Sequence, residues 1–220
     1  MPKIYLTRLL WQLIAVCGVI LICLGFQSPR QTTTAAKAST TWSVTSASDD
    51  VSDTGSLRFA LTHAISGDLV SFVLSSENVI VVNSTLTVPE GVAVGLPRNG
   101  SCGDPNAPRA NIQANLNPAI IVDPVFSLSA NSTLRNVDVG AGQNSVKITG
   151  ENADVCGAGL GIMSSGETNI LPPHRAVLVI DGDHAVIHRN IFYGENTYNG
   201  DIVVGIHASD SRIGDALYGS

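Results

Sequence analysis

The chain changes its hydrophobic rhythm three times. Residues 9–26 form an apolar run without a single charge. Over Ser56–Ile65, apolar residues recur at helical spacing: Leu57, Ala60, Leu61 and Ala64 make one stripe, with Thr54 or Ser56 placed to cap its start and Gly67 to end it. Elsewhere the pattern is that of strands. Trp42-Ser-Val-Thr-Ser alternates large apolar with small polar residues, and Leu69–Leu74 continues it. From Asn78 onward the expected strands are Val79–Val82, Thr85–Val88, Val92–Val94, Ala119–Val122, Val125–Leu128, Leu134–Val139, Val146–Ile148, Val177–Ile180, Ala185–Ile187 and Ile202–Ile206. Gly, Asn and Asp separate them.

Short strands with short connections fit either hairpins in a sandwich or the layers of a parallel stack. The hairpin dipeptides are mostly missing, Asp181-Gly182 being the one fair instance. Two echoes speak for the stack. Arg135-Asn136-Val-Asp-Val-Gly140 returns as Arg189-Asn190-Ile-Phe-Tyr-Gly194, and Asn83-Ser-Thr-Leu returns as Asn131-Ser-Thr-Leu. The second echo suggests about two dozen residues per layer, so that 78–220 holds about five or six layers and the first echo spans two of them with inserted loops. Asn136 and Asn190 are then expected as corner residues, with Arg135 and Arg189 on the outer face beside them.

Charge and the amino-terminal run place the protein. Lys3 and Arg8 precede the apolar run, as in an export signal, and Ala36-Lys37-Ala38 offers a cleavage site. The run is also close to the ~20 residues that span a bilayer, so an uncleaved anchor is the competing reading. Both put residues 39–220 outside the cytoplasm. From Ser39 on, all eighteen acidic residues face eight basic ones, which excludes nucleic acid as a partner. Cys102 and Cys156 are the cysteines of that part, each in a loop-like stretch; an oxidising compartment favours a disulfide between them over two free thiols. If the two loops lie two layers apart, they must lean together to bridge.

Trp42-Ser-Val-Thr-Ser, followed by Gly55-Ser-Leu-Arg-Phe-Ala-Leu-Thr-His-Ala-Ile-Ser-Gly-Asp-Leu-Val-Ser-Phe, resembles the opening of exported bacterial right-handed parallel β-helix proteins, the CSLREA-like and pectate-lyase-like repeat proteins. Val186-Ile-His-Arg-Asn-Ile-Phe-Tyr-Gly and Ser211-Arg-Ile-Gly look like phrases of their coils, although the CSLREA hexapeptide itself is absent. The resemblance implies an all-β, right-handed parallel β-helix with a short capping helix at about 56–65. The expected organisation is signal or anchor plus tether (1–38), amino-terminal cap (39–77) and coils (78–220). So few coils also suggest a piece of a longer repeat protein.

Enzymes on that scaffold mostly cut acidic polysaccharides, with an Arg or Lys base in lyases and two or three gathered carboxylates in hydrolases. The densest candidate set is Asp181, Asp183, His184 and Arg189. In a strand Asp181 and Asp183 would face one side, with His188, Arg189 and His207 approaching from neighbouring coils. Calcium between the two carboxylates is a weak further expectation, and no other cofactor is expected. The competing reading makes Asp181-Gly182-Asp183 a solvated corner. The hydrolase phrases Asn-Thr-Asp, Asp-Asp and Arg-Ile-Lys are missing, as is the lyase phrase Arg-x-Pro-x-x-Arg, and Lys147 has no evident acidic partner. The leading expectation is therefore a non-catalytic exported module for surface display, adhesion or contact with a polysaccharide or cell-surface glycan. A polysaccharide lyase or glycoside hydrolase is the alternative.

Overall fold

The computed structural model describes residues 38–74, 79–102, 109–115, 122–140, 144–161, 177–192, 202–204, 208–214 and 217–218. Residues 1–37, which carry the expected export segment, and His207 lie outside them. Contacts divide the chain into Met1–Lys37 and Ala38–Ser220, and only the second unit is described below. Among the described residues no helix is long and apolar enough to cross a membrane.

The fold is all-β with parallel sheets and one helix. The first sheet has seven strands in the order β1 (Thr41–Val44), β2 (Leu69–Phe72), β5 (Ala93–Val94), β8 (Thr133–Arg135), β11 (Asp154–Cys156), β14 (Val186–His188) and β17 (Arg212–Gly214). Six strands make the second: β3 (Val79–Val82), β6 (Ala110–Ala114), β9 (Val137–Gly140), β12 (Gly159–Leu160), β15 (Ile191–Phe192) and β18 (Leu217–Tyr218). The third has five: β4 (Leu86–Val88), β7 (Phe126–Leu128), β10 (Val146–Ile148), β13 (Leu178–Ile180) and β16 (Ile202–Val204). From β3 onward the chain visits second, third and first sheet in strict rotation, a succession compatible with a parallel β-helix.

The rotation explains the hydrophobic pattern. In three-residue strands of the third sheet the outer two positions point inward, so Leu86, Phe126, Val146 and Leu178 stack in register beside Val88, Leu128, Ile148 and Ile180, all buried. In the first sheet it is the middle residue that turns inward, giving the buried ladder Val70, Val94, Leu134, Val155 and Ile187. Each such side chain contributes about 1.5–3 kcal/mol on leaving water. Asp181-Gly182 is a corner and no hairpin, since β13 and β14 belong to different sheets.

Both ends of the first sheet's strands are set by left-handed residues. Gly67, Gly91, Asn131, Asn152, His184 and Asp210, each two positions before a strand, have φ between 54° and 92°. Directly after the strands come Gly95, Asn136, Gly157 and Arg189, again with positive φ (90°, 52°, 64° and 55°). Asn136 therefore divides the expected strand Leu134–Val139 into β8 and β9. At the leading corner the backbone keeps pairing from layer to layer: Gly67 N–H donates to Gly91 O, Gly91 to Ala130, Asn131 to Glu151, Asn152 to Asp183 and His184 to Ser209, at 2.8–3.0 Å. Layers meet so closely here that a Cβ on Gly182 would overlap the backbone of Gly150.

Helix α1 (Leu57–His63) packs on β1, β2 and β4 with Leu57, Ala60 and Leu61 buried. The Ser56 side chain caps it by accepting from Phe59 N at 3.0 Å, and it stops at Ala64, before the expected Gly67, which serves as a corner instead. The Arg58 guanidinium forks onto Asp49 (2.8 and 3.1 Å) and also donates to Ser84 O at 2.9 Å, tying helix to first coil. Asp68, 3% exposed, accepts from Thr40 N (2.8 Å), Trp42 Nε1 (3.0 Å) and Ile65 N (3.1 Å). It thus joins β1, the end of α1 and the start of β2. Replacing Asp68 by Ala strands three donors and is expected to cost about 2–4 kcal/mol, read as a lower urea midpoint, with Asp68→Asn recovering part of it.

Candidate functional site

Of the four residues singled out in the sequence, Asp181, Asp183 and His184 lie between β13 and β14 and Arg189 just after β14, and each is directed to a different partner. Asp181 follows β13 and pairs with Lys147 Nζ of the neighbouring strand at 2.9 Å, both side chains being a little over a third exposed. The lysine that lacked an evident partner in the sequence thus has one. Asp183 is in a turn, outside any strand, and its Oδ1 accepts from Ser209 N (2.7 Å) and Ser209 Oγ (2.9 Å), which ties one layer to the next. Because the strand ends at Ile180, strand alternation does not govern how Asp181 and Asp183 point. His184 occupies the left-handed corner position, with Nε2 3.6 Å from Asp210 Oδ2. Arg189 turns away to the far end of β14, where its Nη1 donates to Cys102 O at 3.2 Å.

A denser cluster lies on the outer face of the first sheet. There β8, β11 and β14 stack Arg135 on Cys156 on His188, and Thr133 on Asp154 on Val186. Asp154 lies diagonally between the basic groups: it pairs with Arg135 Nη2, and its Oδ1 is 3.4 Å from His188 Nε2. The other face of that imidazole presents Nδ1 to Cys156 Sγ at 3.6 Å. Arg135 and Asp154 are buried, at 7% exposure each, while the His188 side chain is 34% exposed.

What buries them is the segment after β5. Arg98 donates to Asn131 O and Asn152 O (3.1 Å each), Arg135 to Gly100 O (2.8 Å) and Pro97 O (3.3 Å), and Arg189 to Cys102 O. Cys102 is joined to Cys156 in a disulfide with a Cα–Cα distance of 5.8 Å. The segment leans over two layers to reach it, strapped to the sheet by three arginines. Arg135, expected on the outer face, lies there but is buried beneath the strap.

Sequence reasoning missed this cluster because Asp154–Cys156 reads as loop: it is short and followed by Gly157-Ala158-Gly159. One signal was present. Asp154 and Cys156 alternate around apolar Val155, the mark of a strand with one face inward. The echo also slips by one residue. Arg135 is in register with His188, and Asn136 matches Arg189 as the left-handed corner. Asn190 is no corner: fully buried, it accepts from Ala158 N and donates to Val155 O, both at 2.8 Å, joining two layers.

Asp138 on β9 is a second ionisable group the sequence did not flag. Burial raises its carboxyl above the ordinary value, outweighing the ion pair with Arg109 Nη1 at 3.1 Å and the Gly159 backbone bond, which act the other way.

No family model, curated protein or solved structure matches the chain. Its function has to be argued from its own residues.

Two measurements test these roles. Because a left-handed backbone costs a non-glycine residue about 1–2 kcal/mol, less for Asn, His184→Asn is expected to stabilise the fold by about 0.5–1 kcal/mol, read as a higher urea midpoint. Asp138, with its folded-state value raised, holds its proton more tightly when folded. Its stabilising contribution is therefore full below the ordinary carboxyl value and declines as pH rises through the raised one. Asp138→Asn should flatten that part of the stability curve in urea melts from about pH 3 to 7. Asp50 and Asp53 have the opposite sign: bonds from Ser52 (backbone, then hydroxyl) to Asp50, and from the Ser46 hydroxyl and Gly55 N–H to Asp53, lower both, so their contribution is lost on acidification.

Proposed function

We propose that this chain is an exported, non-catalytic module built as a right-handed parallel β-helix, whose layered outer faces serve surface display, adhesion or contact with a glycan. The observation that carries the reading is the fate of the candidate catalytic set. Asp181, Asp183, His184 and Arg189 each meet a separate local partner that holds a layer, a corner or the strap in place. A hydrolase needs carboxylates gathered on one reacting bond, and a lyase needs a base free to meet its substrate. The handedness is supported by the strand rotation together with the strong preference of parallel crossovers for the right-handed sense. Export is supported by the charged-then-apolar amino terminus, and an oxidising location by the Cys102–Cys156 bridge.

A polysaccharide lyase is the second reading, and the Lys147–Asp181 pair on the open face of the third sheet favours it. A panel of uronate-containing polysaccharides separates the two. The expected result is no turnover by the wild type, with any glycan binding retained in Asp181→Ala/Asp183→Ala. Turnover that disappears in that double variant, or in Lys147→Ala, overturns the non-catalytic reading.

A further inference from the structure

The strap brings together two sulfurs and an imidazole with the chemistry of a metal site. One ligand atom from each of Cys102, Cys156 and His188 lies within 4.8 Å of the others. Around a tetrahedral zinc-class ion, sulfur and nitrogen ligands stand roughly 3–4 Å from one another, so small side-chain movements would suffice once the sulfurs are separate. The imidazole already has the orientation of a ligand, since Nδ1 faces Cys156 Sγ and Nε2 faces Asp154, itself held by Arg135. A carboxylate 3.4 Å from the far nitrogen is placed where the support of a ligating histidine usually stands. Both cysteines are buried, whereas His188 is partly exposed, which leaves a water-accessible side for a fourth ligand.

We propose that Cys102, Cys156 and His188 form a redox-gated site for a borderline-soft divalent ion of the zinc class, closed while the disulfide stands and opened by its reduction. Two electrons break the S–S bond and each sulfur takes up a proton. With a trialkylphosphine as reductant, phosphorus is oxidised to the phosphine oxide, the oxygen coming from water and the two protons going to the thiols. The ion then forms two bonds to sulfur and one to His188 Nδ1, displacing the two thiol protons. Asp154 is a positioning residue.

The test uses the full chain with Cys17→Ser and Cys23→Ser, so that Cys102 and Cys156 are the remaining thiols. It is titrated with Co(II) before and after phosphine reduction. The expected result is one ion per reduced chain, with thiolate-to-cobalt charge transfer and intense tetrahedral d–d bands, displaced by Zn(II) and missing from the oxidised chain. His188→Ala should abolish the tetrahedral spectrum. Asp154→Asn should retain it with affinity weaker by roughly 10–100-fold. Far-UV circular dichroism of each variant in its oxidised form reports whether the layers are intact. The proposal is overturned if the reduced chain takes up no ion, including by losing its fold on reduction. It is equally overturned if correctly folded His188→Ala binds cobalt with the spectrum and affinity of its parent.

Discussion

Everything in this fold depends on how closely successive layers approach at the leading corner of the first sheet. The backbone there must turn within a few residues and still offer an N–H to the layer above, which a left-handed residue two positions before each first-sheet strand from β2 to β17 accomplishes. The separation that makes these bonds possible also leaves Gly182 no room for a side chain. Corner strain of about 1–2 kcal/mol at a non-glycine residue is offset by the aliphatic ladders behind it, where each buried side chain is worth about as much or more. Packing therefore tolerates His184 and Arg189 at positions that Gly or Asn would fill with less strain.

This constraint decides how the ionisable residues should be read. A polar residue at a corner is drawn into holding the stack, as Asp183 is by Ser209. Polar residues on the strands' outward positions can meet one another across layers, and there Arg135, Asp154, Cys156 and His188 converge. Arg135, Asp154 and His188 thus gather on a sheet face under the strap, while the corner residues Asp183 and His184 bond to the next layer.

Much of the architecture was legible in the sequence. The helical stripe at Leu57, Ala60, Leu61 and Ala64 gives α1 within two residues at either end, and Gly55-Ser-Leu-Arg with Gly67-Asp68 marks a cap whose parts each have a visible physical role. The short apolar runs give most strands of the third sheet. What escaped is what short strands conceal: two or three residues carry too little alternation to register, and Asp154–Cys156 looked like loop for that reason. A corner inside an apolar run, as at Asn136, is equally hard to see, because one left-handed residue leaves the hydrophobic pattern unbroken. The cluster on the first sheet arises from a register between layers, which no local window contains. The separate directions of Asp181 and Asp183 were hidden likewise, because nothing in the local pattern marks the end of their strand at Ile180.

The strap has a mechanical consequence for the whole stack. In a stack of parallel strands each layer ordinarily touches only those directly above and below, so the array can fray one layer at a time. Here a segment leaving β5 is fastened to β8, β11 and β14 by three arginines and a covalent bridge. Layers that are not neighbours are thereby bound to a common fate. Opening any one of these layers therefore pulls on the others, and the S–S bond is the covalent part of that hold.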